Sequence, residues 1–241
     1  RQESLCTPHI YDLNEYIGTG VHEMTICVSN VGYKTKGGHL TSPDTQTNWN
    51  GITGRIELIG YKNAHAENVM LWCDIHNKTV RVTANITGGK SGKAVISAES
   101  FNSERSHTPE VQSFEYTNGK LDALYKMGDD CLLWSEHEPN LYKLKIDIDG
   151  DVSEHIIGMR EFRTEGGKFT INGEKTFLRG KHDGMIFPKT AFAPTDLEEW
   201  LRIMKISKSY GMNHYRYHTC CPPEAAFVAA DMLGIYMEPQ L

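Results

Sequence analysis

The chain has 241 residues, more than the roughly 100 to 200 of a usual single domain, so two or three modules are expected. The 31 acidic and 25 basic residues give a net charge of −6, which disfavours nucleic acid as a partner because phosphates attract cationic surfaces. No apolar stretch approaches the roughly 18 residues of a membrane span, so no membrane partner is expected. The six scattered cysteines predict mostly free thiols in a chain this large.

Residues 1–60 carry short β-branched and aromatic runs between turns, which predict antiparallel sheet. The runs are HEMTICVSN at 22–30 and GRIELIGY at 54–61. In the first run the apolar residues Met24, Ile26 and Val28 recur at every second position, as one buried face of a strand requires. Two or three strands cannot close a core alone, so this segment is interpreted as the end of a larger sandwich.

Residues 61–162 contain about seven strand-like runs, separated by Gly, Asn and Asp turns at roughly ten-residue spacing. This rhythm predicts a β-sandwich of immunoglobulin size. Trp134 is expected to fill the core of that sandwich, because sandwiches bury their large aromatic side chains.

After residue 163 the pattern becomes hairpin, strand, helix, strand, helix, strand. Asn-Gly at 172–173 predicts a tight hairpin turn. Thr195 and Glu198 have capping-box spacing at the start of the first helix, and Gly211 lies where that helix should end. A strand at 213–218, a helix between Pro223 and Gly234 and a strand at 235–238 follow. The order is typical of a parallel α/β sheet or barrel.

Reactive groups in such folds gather where the parallel strands end. Arg216 at one strand end predicts an acidic pocket, because a buried guanidinium needs carboxylates; a structural ion pair at the rim is the alternative. His218 lies two residues on and would share its face. A zinc site is disfavoured by the ligand spacing, and adjacent cysteines favour packing over a disulfide. The zinc candidates are His182, His214, His218, Cys220 and Cys221.

Several stretches, in order, resemble glycoside hydrolase family 2, which contains β-galactosidases, β-glucuronidases and β-mannosidases. They are TPHIYDLNEYIGTGVHEMTICVSN, DTQTNWNGITGRIEL, LWSEHEPNLYKLKI, IIGMREFRTEGGKFTINGEKTFLRG and NHYRYHTCCPPEAAFVAADMLGIYMEP. The resemblance implies a mainly β, multidomain chain. Residues 1–60 would end a jelly-roll sugar-binding sandwich, residues 61–162 would form an immunoglobulin-like sandwich, and residues 163–241 would supply the first three βα units of a TIM (β/α)8 barrel.

The same resemblance implies a glycosidase that hydrolyses terminal β-linked sugars of oligo- or polysaccharides by a retaining mechanism. Its two glutamates normally come from the fourth and seventh barrel strands, so no catalytic residue is expected in this chain, and the fragment alone is expected to be inactive. A non-catalytic carbohydrate-binding or adhesion module is the alternative. The resemblance favours a periplasmic or secreted protein, although the sequence alone leaves the compartment open.

By resemblance, Arg216 supports the nucleophile, and other residues bind the substrate. Magnesium is a candidate cofactor, held by Glu238, although the following Pro-Gln departs from the family's Asp-Glu. The region of Asp44 and Asn48 would reach over the barrel mouth, or form a solvated turn. Three parallel strands leave an open edge, which a second copy of the chain could cover. The substrate-binding candidates are His182, Asp183, His218, Asp44 and Asn48.

Overall fold

The computed structural model describes residues 2–4, 7–29, 51–52, 54–61 and 63–240. None of the described residues up to position 61 lies in a strand or helix, and Met24, Ile26 and Val28 are exposed. The strand predictions at 22–30 and 54–61 are therefore wrong for the described residues. An alternating apolar face makes a stable strand only beside paired neighbours and against a second layer, and here it packs against neither. Asp44 and Asn48 lie outside the described residues.

Seven antiparallel strands follow and form one sheet in the order β1-β2-β5-β4-β3-β6-β7. The first and last strands contact each other, so the sheet curls round a shared core. Alternate residues point inwards, as in β5, where Leu121, Ala123 and Tyr125 are buried. The strands are β1 His65–Asp74, β2 Thr79–Thr87, β3 Ser91–Ser100, β4 Gln112–Thr117, β5 Lys120–Lys126, β6 Tyr142–Ile148 and β7 Asp151–Ile157.

Trp134 is buried, as predicted for a core residue, but it lies outside the core of this sheet. It is buried in a separate cluster with Leu141, Ile171 and Tyr236. Its Nε1 donates a hydrogen bond of 2.8 Å to the carbonyl oxygen of Asp231, far along the chain. The indole needs both apolar contact and one acceptor, and both are found where the sandwich meets the following segment.

A three-stranded meander comes next: β8 Phe162–Glu165, β9 Lys168–Ile171 and β10 Glu174–Thr176. Asn172 and Gly173 have φ of 52° and 84°, so both residues of the tight turn are left-handed. That is the conformation of a type I′ hairpin, which Asn-Gly favours, and the predicted hairpin is confirmed.

The last sheet is parallel, with β11 Gly180–Asp183, β12 His214–Tyr217 and β13 Tyr236–Pro239 in that order. Helix α1 (Leu197–Ser209) and helix α2 (Glu224–Leu233) connect these strands. Trp200 and Met204 of α1 form a buried cluster with Tyr215 and Tyr217 of β12 and with alanines of α2. Both helices therefore cover the same face of the sheet.

The ends of the helices show how the sequence sets their length. The N-cap of α1 is Asp196, whose side chain accepts a 2.8 Å hydrogen bond from the backbone of Glu199, so the predicted Thr195 cap is one residue early. Aspartate is as good an N-cap residue as threonine, so the helix begins one residue later than predicted, at Leu197. At the other end, Gly211 has φ of 78° and the Met212 N–H donates to the Ser207 carbonyl oxygen, which is the Schellman arrangement.

No described helix is long and apolar enough to span a membrane.

Candidate functional site

Three polar side chains lie in a row across the parallel sheet. His182 of β11 pairs with Arg216 of β12, and Arg216 pairs with Glu238 of β13. Tyr215 and Tyr217 point into the helix-packed cluster, so Arg216 between them points to the opposite face. The row therefore lies on the face without helices, near the carboxyl ends of all three strands.

Arg216 has a half-exposed side chain with three polar contacts. One terminal nitrogen lies 3.4 Å from His182 Nδ1, and the other donates 2.9 Å to Gln240 Oε1. Its nearest carboxylate, Glu238, is 3.9 Å from Nε, which is a long contact for an ion pair. The predicted rim ion pair is thus present but loose, and the guanidinium can still receive a closer anionic or hydroxyl partner.

Glu238 has its shorter contact with another residue. Its Oε2 lies 3.2 Å from His214 Nε2, and His214 is nearly buried. Because His214 is two residues before Arg216, the two side chains share a face. The ring fits only because residue 180 is glycine: a Cβ there would stand 2.5 Å from His214 Nδ1.

The two histidines proposed for substrate binding are brought together. The rings of His182 and His218 have centroids 5.1 Å apart at an interplanar angle of 54°. The backbone N–H of His218 donates 2.9 Å to the Asp183 carbonyl oxygen, which holds the turn after β12 against the end of β11. Two imidazoles and one guanidinium thus line the same wall.

Asp183 is placed differently from its neighbour His182. Its carboxylate is buried, with Oδ1 accepting 2.7 Å from the Met185 N–H and Oδ2 3.0 Å from Lys181 Nζ. Burial raises the pKa of Tyr217 strongly, and the nearby Asp183 charge adds to the rise. Asp183 therefore lies beside Tyr217 on the helix-covered face, and this placement favours a structural role in the turn.

The described residues contain no group of three His, Cys, Asp or Glu side chains placed to hold a metal. Glu238, the magnesium candidate, is bound by His214 and lies beside the cationic Arg216. A hard divalent ion prefers several oxygen ligands, so this surrounding does not fit magnesium. Cys27, Cys73 and Cys131 are free thiols. Burial raises the pKa of the Cys73 thiol to about 11, which makes it unreactive.

Sequence reasoning missed two members of this wall. His214 was considered only as a zinc ligand, although strand alternation from Arg216 places it on the same face. Gln240 follows the last strand, and nothing in its local pattern indicates that its amide reaches Arg216.

Comparison with known proteins finds similarity to one family. Residues 64–160 match the family described as Glycosyl hydrolases family 2. A β-galactosidase of Leuconostoc mesenteroides is 22% identical over 246 residues, covering 95% of this chain and 23% of that protein. A β-galactosidase of Halalkalibacterium halodurans is 24% identical over 246 residues, covering 98% of this chain and 24% of its own. The chain thus spans about a quarter of the length of these relatives.

Solved structures share the fold. A glycosyl hydrolase family 2 member from Bacteroides cellulosilyticus superposes with a TM-score of 0.59 at 19% identity, over 73% of this chain and 25% of that one. A β-glucuronidase of Parabacteroides merdae gives a TM-score of 0.55 at 18% identity, over 74% of this chain and 24% of that one. The resemblance to glycosyl hydrolases family 2 read from the sequence is confirmed by the family match over residues 64–160 and by these relatives.

Proposed function

We propose that this chain is part of a glycosidase that hydrolyses terminal β-linked sugars of oligo- or polysaccharides by a retaining, two-glutamate mechanism. Both glutamates would lie outside this chain, which would supply one wall of the sugar pocket and be inactive alone. The observation that carries the proposal is the row of His182, Arg216 and Glu238 at the carboxyl ends of three parallel strands. Active sites of α/β barrels form at that end.

We assign residues 61–162 to an immunoglobulin-like sandwich. The order β1-β2-β5-β4-β3-β6-β7 corresponds to the A-B-E-D and C-F-G strands of the constant type. Tyr142 at the start of β6 adds support, because its hydroxyl accepts 2.8 Å from the backbone N–H of Leu132, ten residues upstream. This is the geometry of a tyrosine corner.

Residues 163–241 would be the first three βα units of a TIM barrel. Parallel strands with helices on one face and charged side chains on the other support this assignment. The assignment of residues 1–60 to a sugar-binding sandwich rests only on the β-galactosidase matches, which extend over 95% and 98% of the chain, because the described residues of this segment form no strand.

In this mechanism Arg216 would orient the nucleophile. A guanidinium presents two parallel N–H donors that match a carboxylate, and its charge keeps that carboxylate ionised. Such a group can displace the 3.4 Å contact of Arg216 with His182 and its hydrogen bond to the uncharged Gln240 amide. His182 and His218 would then hydrogen-bond sugar hydroxyls, holding the anomeric carbon in line with the nucleophile. No step requires a metal ion.

The test uses the full-length protein and a panel of aryl β-glycosides that includes galactosides, glucuronides and mannosides. We expect hydrolysis of at least one of them. Arg216→Lys keeps the positive charge but loses the two parallel N–H donors of the guanidinium. It should lower kcat/KM about a hundredfold, the usual loss when one positioning group is removed. Arg202→Lys is the matched control, because Arg202 forms an exposed ion pair with Glu199 on α1.

Two outcomes would contradict the proposal. If the Arg216 and Arg202 variants hydrolyse the best substrate equally well, Arg216 does not serve the reaction. If the wild-type protein binds sugars but cleaves none of the panel, the chain belongs to a carbohydrate-binding or adhesion protein instead.

A further inference from the structure

The loop between β5 and β6 leaves the sandwich and packs against the parallel sheet. Trp134 in this loop donates to the Asp231 carbonyl oxygen in α2, and its own carbonyl oxygen accepts 2.9 Å from Asn172 Nδ2 in the hairpin. The Glu136 carbonyl oxygen accepts 2.6 Å from Lys208 Nζ of α1. The loop therefore bonds to both helices and to the meander.

Glu136 is the charged centre of this contact. Its side chain is only 8% exposed and lies 3.0 Å from Arg179 Nη2. The other carboxylate oxygen accepts 3.3 Å from Thr176 Oγ1, and Asn213 Nδ2 also donates to the carboxylate. A buried carboxylate persists when several donors satisfy it, as three do here.

Asn213 joins the starts of all three parallel strands. It directly precedes β12, and its Oδ1 accepts 2.7 Å from the N–H of Arg179, which directly precedes β11. Its carbonyl oxygen accepts 2.8 Å from the N–H of Tyr236, the first residue of β13. Its amide nitrogen is held by Glu136 and by the Phe177 carbonyl oxygen.

From this chain of contacts we infer that Glu136 is a positioning residue for the candidate site at the opposite end of the sheet. Through Asn213 it sets where β11 and β12 begin relative to each other, and so how far apart His182 and Arg216 stand. Each strand is only four residues long, about 13 Å, so a shift of its first residue also moves the residues at its carboxyl end. The inference rests on the proposed function for its effect on catalysis.

The decisive variant in the full-length protein is Glu136→Gln, which keeps the shape but removes the charge and one acceptor. We expect kcat on the best aryl glycoside to fall about tenfold to a hundredfold, with KM changed far less, because misplacement acts on the reacting geometry. Rates are measured at a temperature where circular dichroism shows each variant fully folded. Glu138→Gln is the control, since Glu138 is an exposed carboxylate on the same loop.

A residue that merely stabilises the fold would not give the same pattern. Asn213→Ala should produce a similar fall in kcat, and the double variant should lose no more than the worse single variant, because both act through one path. A lowered melting temperature with wild-type kcat would overturn the inference. So would losses that multiply in the double variant.

Amide hydrogen exchange gives a readout that needs no activity. Glu136→Gln should speed exchange at Arg216 and Tyr217 about tenfold or more, while exchange in β2 and β5 stays as in the wild type. Unchanged exchange at β12 would overturn the positioning role. Failure of the wild-type protein to cleave any glycoside would instead overturn the proposed function, so the two failures are distinguishable.

Discussion

Replacing Gly234 by alanine should destabilise the protein through one identifiable clash. Gly234 ends α2 with φ of 70°, and a Cβ there would lie 2.7 Å from the Glu136 carbonyl oxygen and 2.8 Å from its Cα. These are backbone atoms of a loop bonded on several sides, so they cannot move aside as a side-chain tip could. The clash would push the loop away from α2.

The expected cost combines two contributions. A left-handed alanine costs about 1 to 2 kcal/mol relative to glycine. Overpacking against a fixed backbone adds about 1 to 3 kcal/mol. Gly234→Ala should therefore lower the free energy of unfolding by about 2 to 5 kcal/mol, a large share of the roughly 5 to 15 kcal/mol typical of a domain.

Gly211 provides a matched control at the end of α1. It has φ of 78°, but a Cβ there would meet no atom within 4 Å. Gly211→Ala should thus cost only the left-handed contribution, about 1 to 2 kcal/mol. Urea unfolding followed by circular dichroism measures both variants. If both variants lost the same free energy of unfolding, the clash would be refuted, and with it the close packing of the Glu136 loop against α2.

Two further predictions concern the sandwich. Tyr142→Phe removes the acceptor of the buried Leu132 N–H and should cost about 1 to 3 kcal/mol in urea unfolding, whereas the same change at the exposed Tyr210 should cost almost nothing; equal costs would contradict the tyrosine corner. Burial lowers the pKa of His155 in the folded protein below its ordinary value near 6.5, so the unfolded chain takes up the proton first and the folded state loses stability as the pH falls through this range. His155→Gln should therefore reduce the loss of stability between about pH 7 and pH 5 in urea unfolding. An unchanged pH profile would count against this.

Local signals predicted the turns and helix ends after residue 163 well. Asn172-Gly173 specifies its turn by backbone preference alone, and Gly211 and Gly234 end their helices by their left-handed conformation. Arg216 and His218 were correctly placed near the end of β12 by strand alternation. Strand alternation also places the consecutive residues His182 and Asp183 of β11 on opposite faces of the sheet. The sequence therefore contained the information that Asp183 does not share the face of His182, but the prediction did not use it.

Features that depend on distant residues could not be read in this way. Trp134 finds its acceptor 97 residues along the chain, and Glu136 finds Asn213 77 residues along. Nothing near either residue indicates those partners. Conversely, the alternating Met24, Ile26 and Val28 satisfied the local rule for a strand, yet their strand is absent because alternation supplies a face without supplying anything to pack against it.

The packing of the β5–β6 loop against the parallel sheet also affects where this protein can be divided. The linker between β7 and β8 looks like a natural cutting point between a sandwich and an α/β unit. Separating the pieces there would strip Glu136 of Arg179 and Asn213, and leave Lys208 without the Glu136 carbonyl. Engineers who exchange sandwiches between relatives should therefore transfer the β5–β6 loop together with the parallel sheet it contacts. The chain passes from one part to the other at the β7–β8 linker, but the contacts between the two parts are made by the β5–β6 loop.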